Sequence, residues 1–469
     1  MTPVRRSPPT IGIVGIGYMG IATGLAFARH GRRVFAYDVN PQVRASVARG
    51  ESPYREPGLS ELLRSERRRG RFSPVGSMDE LVAKAECIFL CVPTPPRRRG
   101  SVDLRPLRAA ARQLGTALRA VDGYRVVVVK STVVPGTTQE VVTPTLRRSS
   151  HKSARQLGIA VNPEFLSEGR MVRDALAPAR IVLGVADRPS GRRLRAAYAG
   201  FAAPVLELSL AEAELVKHAS NGFLALKVSY ANELSRWTER LGGNVDAVAA
   251  AMGADPRIGP AFLRAGPGFG GSCFEKDLRA FARRAEQLGI PSHAPRAVLA
   301  INAAQTEHAV DLIRAAVPSL RGKKVAVLGL AFKAGTDDVR ESRAFPVIDQ
   351  LVAAGARVRA HDPAARENFE REWRRRARGA PGAVTFTRSV PEALRGADLA
   401  VVQVDWPEYR RWPSSWTRAM RRPLLVDLRR GIPRSTASRA ALGVVALGVG
   451  RAAPPESSSG AGGTRRRSG

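Results

Sequence analysis

Up to about Leu208, short apolar runs alternate with longer stretches whose apolar residues recur at helical spacing. Ile11–Val14 and Val34–Tyr37 are two such runs, and a glycine-rich turn and a helical stretch lie between them. Apolar runs of this length, bounded by turn residues, are typical of buried strands. Further runs stand in ECIFLCVPTP, RVVVVKST, IAVNPEF and RIVLG. The alternation predicts strand–helix–strand units and a parallel sheet that continues to about Leu208.

A long helix is predicted after this sheet. From Leu210 to about Leu241 the chain has no proline, is rich in Ala, Leu and Glu, and repeats its apolar residues at helical spacing. Lys323–Lys333 then begins a second set of strands, which includes ARVRAHDP, ADLAVVQVDW and PLLVDLRR. The pattern therefore predicts an α/β protein with two Rossmann-like doubly wound domains, joined by a helical central region with a long helix.

The chain of 469 residues is too long for one ordinary hydrophobic core, which agrees with several domains. The changes of pattern place the predicted boundaries at 1–208 for the first α/β domain, 209–318 for the central helical region and 319–450 for the second α/β domain. Residues 451–469 consist mostly of small and polar residues and Arg, and they predict a disordered tail.

The first predicted turn carries a dinucleotide-binding pattern. In GIGYMG, Gly15 allows the tight turn, Gly17 lets a pyrophosphate approach the helix N-terminus, and Gly20 permits close packing of helix and strand. Asp38 ends the next strand, where a carboxylate accepts hydrogen bonds from ribose hydroxyls and repels a 2′-phosphate. The pattern predicts NAD rather than NADP, although several arginines near Asp38 weaken that preference. A glycine turn with a purely structural role is the alternative.

The chain is strongly basic, with 75 Lys and Arg against 41 Asp and Glu and a formal net charge of +34. A field of this sign attracts nucleotides, nucleic acid or anionic surfaces, and does not choose among them. Most of the basic residues are scattered, and no RNA-binding signature or zinc-ligand spacing accompanies them. We interpret the charge as an Arg-biased composition on an ordinary enzyme, and keep a basic binding protein as the alternative class.

Three cysteines are too few for a disulfide framework and lack the spacing of a metal site, so we expect no metal and a reducing cytoplasm. Cys87 and Cys91 stand in an apolar run and are expected to be buried as small hydrophobic residues. Arg5-Arg6 and the apolar stretch after it resemble a twin-arginine signal, but the glycine turn explains that stretch better. No other segment approaches the length of a membrane span.

Cys273 differs from the other two cysteines because it stands in GPGFGGSCFEKD, among glycines and charged residues. A thiol on a glycine-rich loop is open to other molecules, and Lys276 or another nearby cation would favour the thiolate, which is the nucleophilic form. Together with NAD, such a thiol predicts oxidation of an aldehyde through a thiohemiacetal and a thioester. The alternative is a small residue buried in a tight loop.

Two further pairs of polar residues fit this chemistry. Lys217 and Asn221 are spaced i, i+4 in the predicted long helix, so both point from one face and could hold an oxyanion, unless that face is simply solvated. In VNPEFLSEG, Asn162 can cap a short helical turn that leaves Glu164 and Glu168 on the same side. These carboxylates suit acid–base work, or serve as ordinary partners of the helix dipole.

The order of these motifs resembles the UDP-glucose/GDP-mannose dehydrogenase family from about Thr10 to Val445. The motifs that carry the resemblance are GIGYMG, YREPGL, CVPTPP, KSTVVPGTT, NPEFLSEG, ELVKHASNGFLALKVSYANE, DPRIGPAFLRAGPGFGGSCFEKD and AFKAGTDDVRESRAFPVI. NPEFLSEG, MGADPRIG and GGSCF look more like the UDP-glucose branch than the GDP-mannose branch. The resemblance implies a twofold oxidation of the sugar C6 alcohol to a carboxylate with two NAD, and a second domain that binds the UDP-sugar.

The resemblance also implies roles for individual residues. The catalytic residues implied are Cys273 as nucleophile, Lys217 with Asn221 for oxyanions, Asp277 and Thr132 for water, and Glu164 for acid–base work. The cofactor-binding residues implied are Gly15, Gly17, Tyr18, Met19, Gly20, Asp38, Thr94, Thr132, Lys276 and Arg340. The substrate-binding residues implied are Glu164, Phe165, Leu166, Glu168, Lys217, Asn221, Arg257, Gly270 and Lys333.

Homodimers built on the long central helix, sometimes assembled further, are implied as well. Arg257 would then reach the sugar nucleotide from a partner subunit, and Arg340 would meet the NAD pyrophosphate. One departure is Glu275, which stands where most members have proline; its negative charge near the thiol would raise the thiol pKa and oppose activation.

The sequence leaves three hypotheses for the function of the chain. The first is oxidation of UDP-glucose to UDP-glucuronate, a precursor of acidic polysaccharides. The second is the same chemistry on GDP-mannose or another UDP-hexose. The third, from a different class, is a basic non-catalytic protein that retains the fold and binds nucleic acid or lipid through its Arg-rich surface.

Overall fold

The computed structural model of the chain describes residues 8–97, 100–376 and 382–450. It contains two sheets with helices on their faces, and a helical region connects them. The predicted fold class is therefore confirmed, while the exact domain boundaries stay a prediction. The predicted disordered tail at 451–469 and the Arg5-Arg6 pair lie outside the described residues.

The first sheet has eight strands in the order β3-β2-β1-β4-β5-β6-β7-β8. The strands are β1 Ile11–Val14, β2 Val34–Tyr37, β3 Phe72–Pro74, β4 Cys87–Leu90, β5 Arg125–Val129, β6 Leu157–Val161, β7 Ile181–Val185 and β8 Val205–Leu208. The prediction of a parallel sheet is correct as far as β6, but β7 pairs with β6 in the antiparallel direction. Between these strands the chain forms only one short helix, which packs against the first helix of the domain rather than crossing the sheet.

The helices of this half are α1 Tyr18–Arg29, α2 Pro41–Ala48, α3 Leu59–Arg68, α4 Met78–Lys84, α5 Arg105–Leu118, α6 Thr143–Ser150, α7 Met171–Leu176 and α8 Arg188–Ala197, with a π-helical turn at Thr138–Val142 before α6. Along β4, Ile88 and Leu90 enter one apolar cluster, while Cys87 and Phe89 enter the cluster on the other face. Both faces of the sheet are thus covered. The prediction that Cys87 and Cys91 are buried is confirmed.

The central region consists of α9 Leu210–Arg240, α10 Val245–Gly253, α11 Phe274–Gln287 and α12 His293–Ala316. The predicted long helix is confirmed as α9, which starts at a capping box formed by Ser209 and Glu212. It packs against β7 on one side and against α11 and α12 on the other. The helix therefore connects the first sheet with the segment that carries Cys273.

The second sheet has six strands, all parallel, in the order β11-β10-β9-β12-β13-β14. The strands are β9 Lys324–Leu328, β10 Arg357–His361, β11 Val384–Phe386, β12 Leu399–Val402, β13 Leu424–Asp427 and β14 Gly443–Ala446. The helices are α13 Ala344–Ala353, α14 Arg366–Arg376, α15 Val390–Leu394, α16 Pro407–Arg410, α17 Ser414–Ala419 and α18 Arg434–Arg439. Across the three described segments, no helix is both long and apolar enough to cross a membrane. The cytoplasmic location stays a prediction.

Candidate active site

A cavity of about 1440 Å³ lies where the first sheet, α9 and the second α/β domain meet. The residues that follow β1, β4, β5 and β6 all line it, namely Gly15, Cys91, Lys130 and Asn162. These strands are parallel, so their carboxyl ends open on the same edge of the sheet, which is where ligands bind in doubly wound folds. Cys273 and Lys333 line the cavity from the other side.

The glycine turn after β1 has the geometry that a dinucleotide requires. Gly15 has a φ of +95°, which a residue with a side chain rarely adopts. A Cβ on Gly20 would lie 1.9 Å from the carbonyl oxygen of Gly15, so only glycine lets α1 start this close to the turn. A Cβ on Gly17 would have nothing within 4 Å, which leaves the N-terminus of α1 open to a phosphate. Tyr18, Met19 and Asp38 line the same part of the cavity.

Helices α9 and α12 hold the glycine loop that precedes Cys273. The backbone N–H of Gly266 donates to Asn232 Oδ1 on α9 at 2.8 Å. On α12, Asn302 accepts from the N–H of Phe269 at 2.7 Å and donates to its carbonyl at 3.1 Å. Gln305 and Thr306, from the same helix, donate to the carbonyls of residues 266 and 267 at 3.0 Å. The backbone of the loop is therefore fixed by buried side chains rather than by regular structure.

Cys273 lies at the N-terminus of α11, and its thiol is exposed to the cavity. Surrounding protein still removes much of its hydration. This burial raises the pKa of the thiol, the charge of Glu164 raises it further, and the charge of Lys217 opposes both. Lys217 is therefore the nearby cation that favours the thiolate. Lys276, which the sequence suggested for this role, pairs instead with Asp277 at 2.7 Å.

Two bonded pairs, Lys217 with Glu164 and Asn221 with Asp277, lie near the thiol and together are called the bonded cluster. Lys217 Nζ lies 2.8 Å from Glu164 Oε1, and Asn221 Nδ2 donates to Asp277 Oδ2 at 2.7 Å. Burial lowers the pKa of Lys217, but the charges of Glu164, Asp277 and Cys273 more than offset this, so the pKa is raised. Burial raises the pKa of Asp277, but Lys276 and other cations reverse the change and lower it. The cluster thus keeps Lys217 cationic and Asp277 anionic.

Residues 162–167 form an irregular loop between β6 and α7, so the predicted helical turn with Glu164 and Glu168 on one side is wrong. Asn162 does not cap a helix, and contacts with distant residues determine the shape of the loop. Its side chain instead accepts from Lys130 at 2.8 Å and from the Tyr198 hydroxyl at 2.5 Å, and donates to a carbonyl of β7 at 2.8 Å. The loop nevertheless presents residues 164–168 to the cavity.

The second α/β domain reaches this loop with two basic side chains. Lys333 Nζ donates to Ser167 Oγ at 3.0 Å, and Arg340 Nη2 lies 3.1 Å from Glu168 Oε1. Burial and the neighbouring carboxyl group of Asp338 raise the pKa of Glu168. Burial lowers the pKa of Lys333. Gly270 also lines the cavity at this junction.

Several residues implied by the resemblance lie outside the cavity lining. Gly20 packs against the glycine turn, as described above, and Asp277 lies directly behind Asn221. Thr94 donates from Oγ1 to the carbonyl of Thr132 at 2.8 Å, so this pair links the loops after β4 and β5. Arg257 pairs with Asp255 at 2.6 Å, and its side chain is 87% exposed. The roles of Lys276, Thr94, Thr132 and Arg257 in ligand binding stay predictions.

Glu275 is paired with two arginines. Its carboxylate pairs with Arg279 at 2.7 Å and with Arg343 at 3.0 Å. The largest charge effects on the pKa of Cys273 come from Glu164, Lys217 and Asp277. The expected effect of Glu275 on the thiol stays a prediction.

Sequence reasoning missed the residues that support the site. Lys130 is fully buried behind it, and this burial lowers the pKa of Lys130 to about 8. Arg180 lies over the ring of Phe165 at 4.0 Å and donates to Ser220 on α9 at 3.0 Å. One signal was available: Asn302, Gln305 and Thr306 place three polar residues on one face of an otherwise apolar stretch of α12. Among the described residues, no group of His, Cys, Asp and Glu side chains could hold a metal ion.

Three family models match the chain in sequence. They describe the UDP-glucose/GDP-mannose dehydrogenase family, with its NAD-binding domain at residues 9–202, its central domain at 211–304 and its UDP-binding domain at 326–434.

Individual relatives cover most of the chain. The UDP-glucose 6-dehydrogenase of Haloferax volcanii is 39% identical over 90% of this chain and 97% of its own. The UDP-glucose 6-dehydrogenase of Pseudomonas aeruginosa is 38% identical over 94% of this chain and 97% of its own. Among solved structures, a UDP-glucose dehydrogenase from Pyrobaculum islandicum superposes with a TM-score of 0.87 at 38% identity, covering 96% of this chain and 100% of that one.

Proposed function

The chain belongs to the UDP-glucose/GDP-mannose dehydrogenase family, and on that premise we propose that it oxidises UDP-glucose twice at C6 to give UDP-glucuronate. It is an NAD-dependent nucleotide-sugar dehydrogenase, and NAD is its cofactor. The observation that carries the proposal is the exposed thiol of Cys273 inside a cavity whose polar residues include Lys217, Asn221 and Glu164. A single ligand pocket has about 300–1,000 Å³. The volume of this cavity, about 1440 Å³, supports two ligands together.

The first turn fits NAD. The open space beside Gly17 suits a pyrophosphate at the N-terminus of α1, and Asp38 stands at the end of β2 where a ribose would lie. When bound, NAD supplies the hydride acceptor for each of the two oxidations. The UDP-sugar would lie against residues 164–168, with Lys333 at its phosphates and its C6 near Cys273.

The proposed chemistry uses the bonded cluster. Cys273 Sγ attacks the C6 aldehyde carbon, and the aldehyde oxygen gains the negative charge. Lys217 Nζ and the second hydrogen of the Asn221 amide stabilise this oxygen, since Asp277 occupies only the first. Loss of a hydride from the adduct leaves a thioester. Water then cleaves it to the carboxylate and the free thiol, with Asp277 or Glu164 accepting the proton.

NADH formation tests this proposal. With limiting UDP-glucose and excess NAD, we expect about two NADH per sugar, and we expect Cys273→Ser to fail to form the acid because it lacks the thioester route. GDP-mannose in place of UDP-glucose is the second arm. Turnover of GDP-mannose alone would move the substrate assignment but keep the mechanism. No turnover of either sugar would contradict the proposed function and favour the basic binding protein.

A homodimer built on α9 belongs to the same proposal. Leu215, Phe223, Tyr230 and Trp237 recur at steps of seven or eight along this helix and are exposed, with Trp237 64% exposed. An apolar stripe of this length on one helix face is typical of an interface, and the resemblance implies a second copy of the chain as its occupant. In analytical ultracentrifugation, the wild type should sediment as a dimer. The double variant Phe223→Arg/Trp237→Arg should sediment as a monomer. A monomeric wild type would contradict it.

A further inference from the structure

Glu275 and Arg343 form an ion pair between two domains, close to Cys273. Glu275 stands two residues after Cys273 in the first turn of α11, and its Oε2 accepts from Arg343 Nη2 at 3.0 Å. Arg343 directly precedes α13 of the second α/β domain. The two side chains are only 18% and 14% exposed, so solvent screens this pair less than the surface pairs of the chain.

The pair differs from the other two cross-domain contacts described above. Lys333, Ser167, Arg340 and Glu168 all line the cavity, so a nucleotide sugar that enters must compete with their contacts. Glu275 and Arg343 are absent from the cavity lining. Their contact can therefore persist with and without ligand, and can hold the first turn of α11 against the residue that precedes α13 while the other two contacts are exchanged.

Residues 332–341 of the second domain also lie close to the glycine loop. A Cβ on Gly270 would lie 2.3 Å from the carbonyl oxygen of Glu341, and one on Gly271 would lie 2.8 Å from the ring of Phe332. Glu341 itself has a φ of +51°, a left-handed conformation that is strained for a residue with a side chain. The stem of Arg343 also packs over the loop, 3.3 Å from the Cβ position of Gly268.

We propose that the Glu275–Arg343 pair is a latch that ties the first turn of α11 to the residue preceding α13 and so positions the Cys273 thiol for reaction. Both are positioning residues, since neither lines the cavity that holds the substrate. Arg279 is the second partner of Glu275, but it lies on the same helix and is 56% exposed. Loss of Arg279 leaves the cross-domain contact intact, which makes Arg279→Gln the matched control. The kinetic part of this inference rests on the proposed function.

The test compares Glu275→Gln, Arg343→Gln, the double variant and Arg279→Gln. Alkylation by iodoacetamide reports on Cys273, because Cys87 and Cys91 are buried. Breaking the latch loosens the first turn of α11 around the thiol, so we expect each single variant to be alkylated about fivefold faster and to lose about tenfold in kcat with UDP-glucose, as for other partly buried contacting pairs. The double variant should match the single variants, the KM for NAD should stay unchanged, and Arg279→Gln should behave as wild type.

Other results would overturn the latch. Effects that add in the double variant would mean that the two residues act independently, and equal effects in Arg279→Gln would mean that any charge loss on α11 suffices. If the alkylation rate and kcat were unchanged in the Glu275 and Arg343 variants, the inference would be contradicted. Arg343→Lys, which keeps the charge, should recover part of the loss and serves if Arg343→Gln fails to fold. If wild type does not oxidise UDP-glucose, the proposed function fails, while alkylation still decides whether the latch exists.

Discussion

The two α/β domains begin with turns that are built alike at their first residue. After β1, Gly15 has a φ of +95° and donates its N–H to the carbonyl of Tyr37 on β2 at 2.8 Å. After β9, Gly329 has a φ of +101° and donates to the carbonyl of His361 on β10, also at 2.8 Å. Each turn thus rests on the end of the neighbouring strand in the same way.

The aspartates that follow those neighbouring strands are used differently. Asp38 accepts from the backbone N–H groups of Ile16 at 2.7 Å and Asn40 at 2.9 Å, so the carboxylate keeps acceptor capacity on a cavity wall. Asp362 is buried, and it accepts from five N–H donors, those of Leu330, Ala331, Ala364, Ala365 and Trp406. A carboxylate has about four lone-pair sites, so Asp362 has none left for a ribose.

The chain after each turn differs as well. Helix α1 starts at Tyr18, only two residues beyond Ile16, and presents its N-terminus to the cavity. After Gly329, residues 330–343 precede α13 and are here called the basic arm, because Lys333 and Arg340 line the cavity. The same segment also carries Asp337, Asp338, Glu341 and Arg343. We therefore propose that the same strand order supports two kinds of phosphate site. The first domain offers backbone N–H groups, and the second offers side-chain charge.

The largest effect is expected for Gly17→Asp, which should weaken ligand binding by the first domain only. The position has open space and an ordinary φ of −72°, so the fold should tolerate a side chain there. A carboxylate beside the N-terminus of α1 would occupy the space of the pyrophosphate and repel it. We expect the Kd for NAD to rise about a thousandfold, which corresponds to about 4 kcal/mol. Calorimetry with NAD and, separately, with UDP measures both sites.

Gly17→Ala is the matched control for size without charge, and it should weaken NAD binding far less. UDP affinity and the thermal midpoint should stay unchanged in both variants. Loss of UDP binding in Gly17→Asp, with NAD binding retained, would reverse the assignment of the two domains.

The second largest effect concerns the residues that directly follow β5 and β13. In the first domain this residue is Lys130, buried with a pKa lowered to about 8, and in the second it is the buried Leu428. Lys130→Leu gives the first domain the same residue type that the second domain has at this position. Below pH 8 both the folded and the unfolded wild type carry the charge, and burial of the charge destabilises the fold. As the pH rises from 8 to 10.5, the folded protein loses this proton first, so its stability increases.

The difference in stability between Lys130→Leu and wild type should therefore shrink by about 3 kcal/mol across that window. Thermal midpoints of the two proteins at pH 7.5, 9 and 10 measure the change. Lys84→Met, at an exposed lysine of α4, is the control and should follow wild type at every pH. A difference that does not vary with pH would show that the amine of Lys130 does not titrate in this range.

The contrast between the domains also separates what the sequence could predict from what it could not. The glycine turn, α9 and the shared face of Lys217 and Asn221 depend on local spacing, and they were predicted correctly. The direction of β7 and the irregular loop at 162–167 depend on distant partners of the backbone, and local patterns do not report these. The local sequence around Asn162 favours a helix cap. In the fold, Lys130 and Tyr198, which lie on other elements, hydrogen-bond to its side-chain amide instead.

Charge was the least predictable property of the site. The sequence places Lys276 and Glu275 next to Cys273, which suggests that they set its pKa. In the fold both are paired elsewhere, and Lys217 and Glu164, distant in sequence, lie close enough to act. Sequence proximity is a poor guide here because the thiol lies at a helix N-terminus, where neighbouring side chains point away around the helix.

The smallest of the three effects tests the basic arm. Lys333→Met removes a charge that reaches across the cavity to Ser167, and leaves the apolar stem in place. We expect affinity for UDP to fall about tenfold and affinity for NAD to stay within about twofold, since one charge-assisted contact accounts for roughly this much. Lys324→Met, at the opposite end of β9, is the control and should bind both ligands as wild type does.

The dependence on pH distinguishes charge from packing in this prediction. Burial lowers the pKa of Lys333, so the free protein loses this proton at a lower pH than an exposed lysine would. UDP affinity of wild type should therefore begin to fall at a lower pH than an exposed lysine would give, and Lys333→Met should lack that decrease. If the variant kept the same slope, another group would be responsible for it, and the second domain would not bind phosphate through the charge of its basic arm.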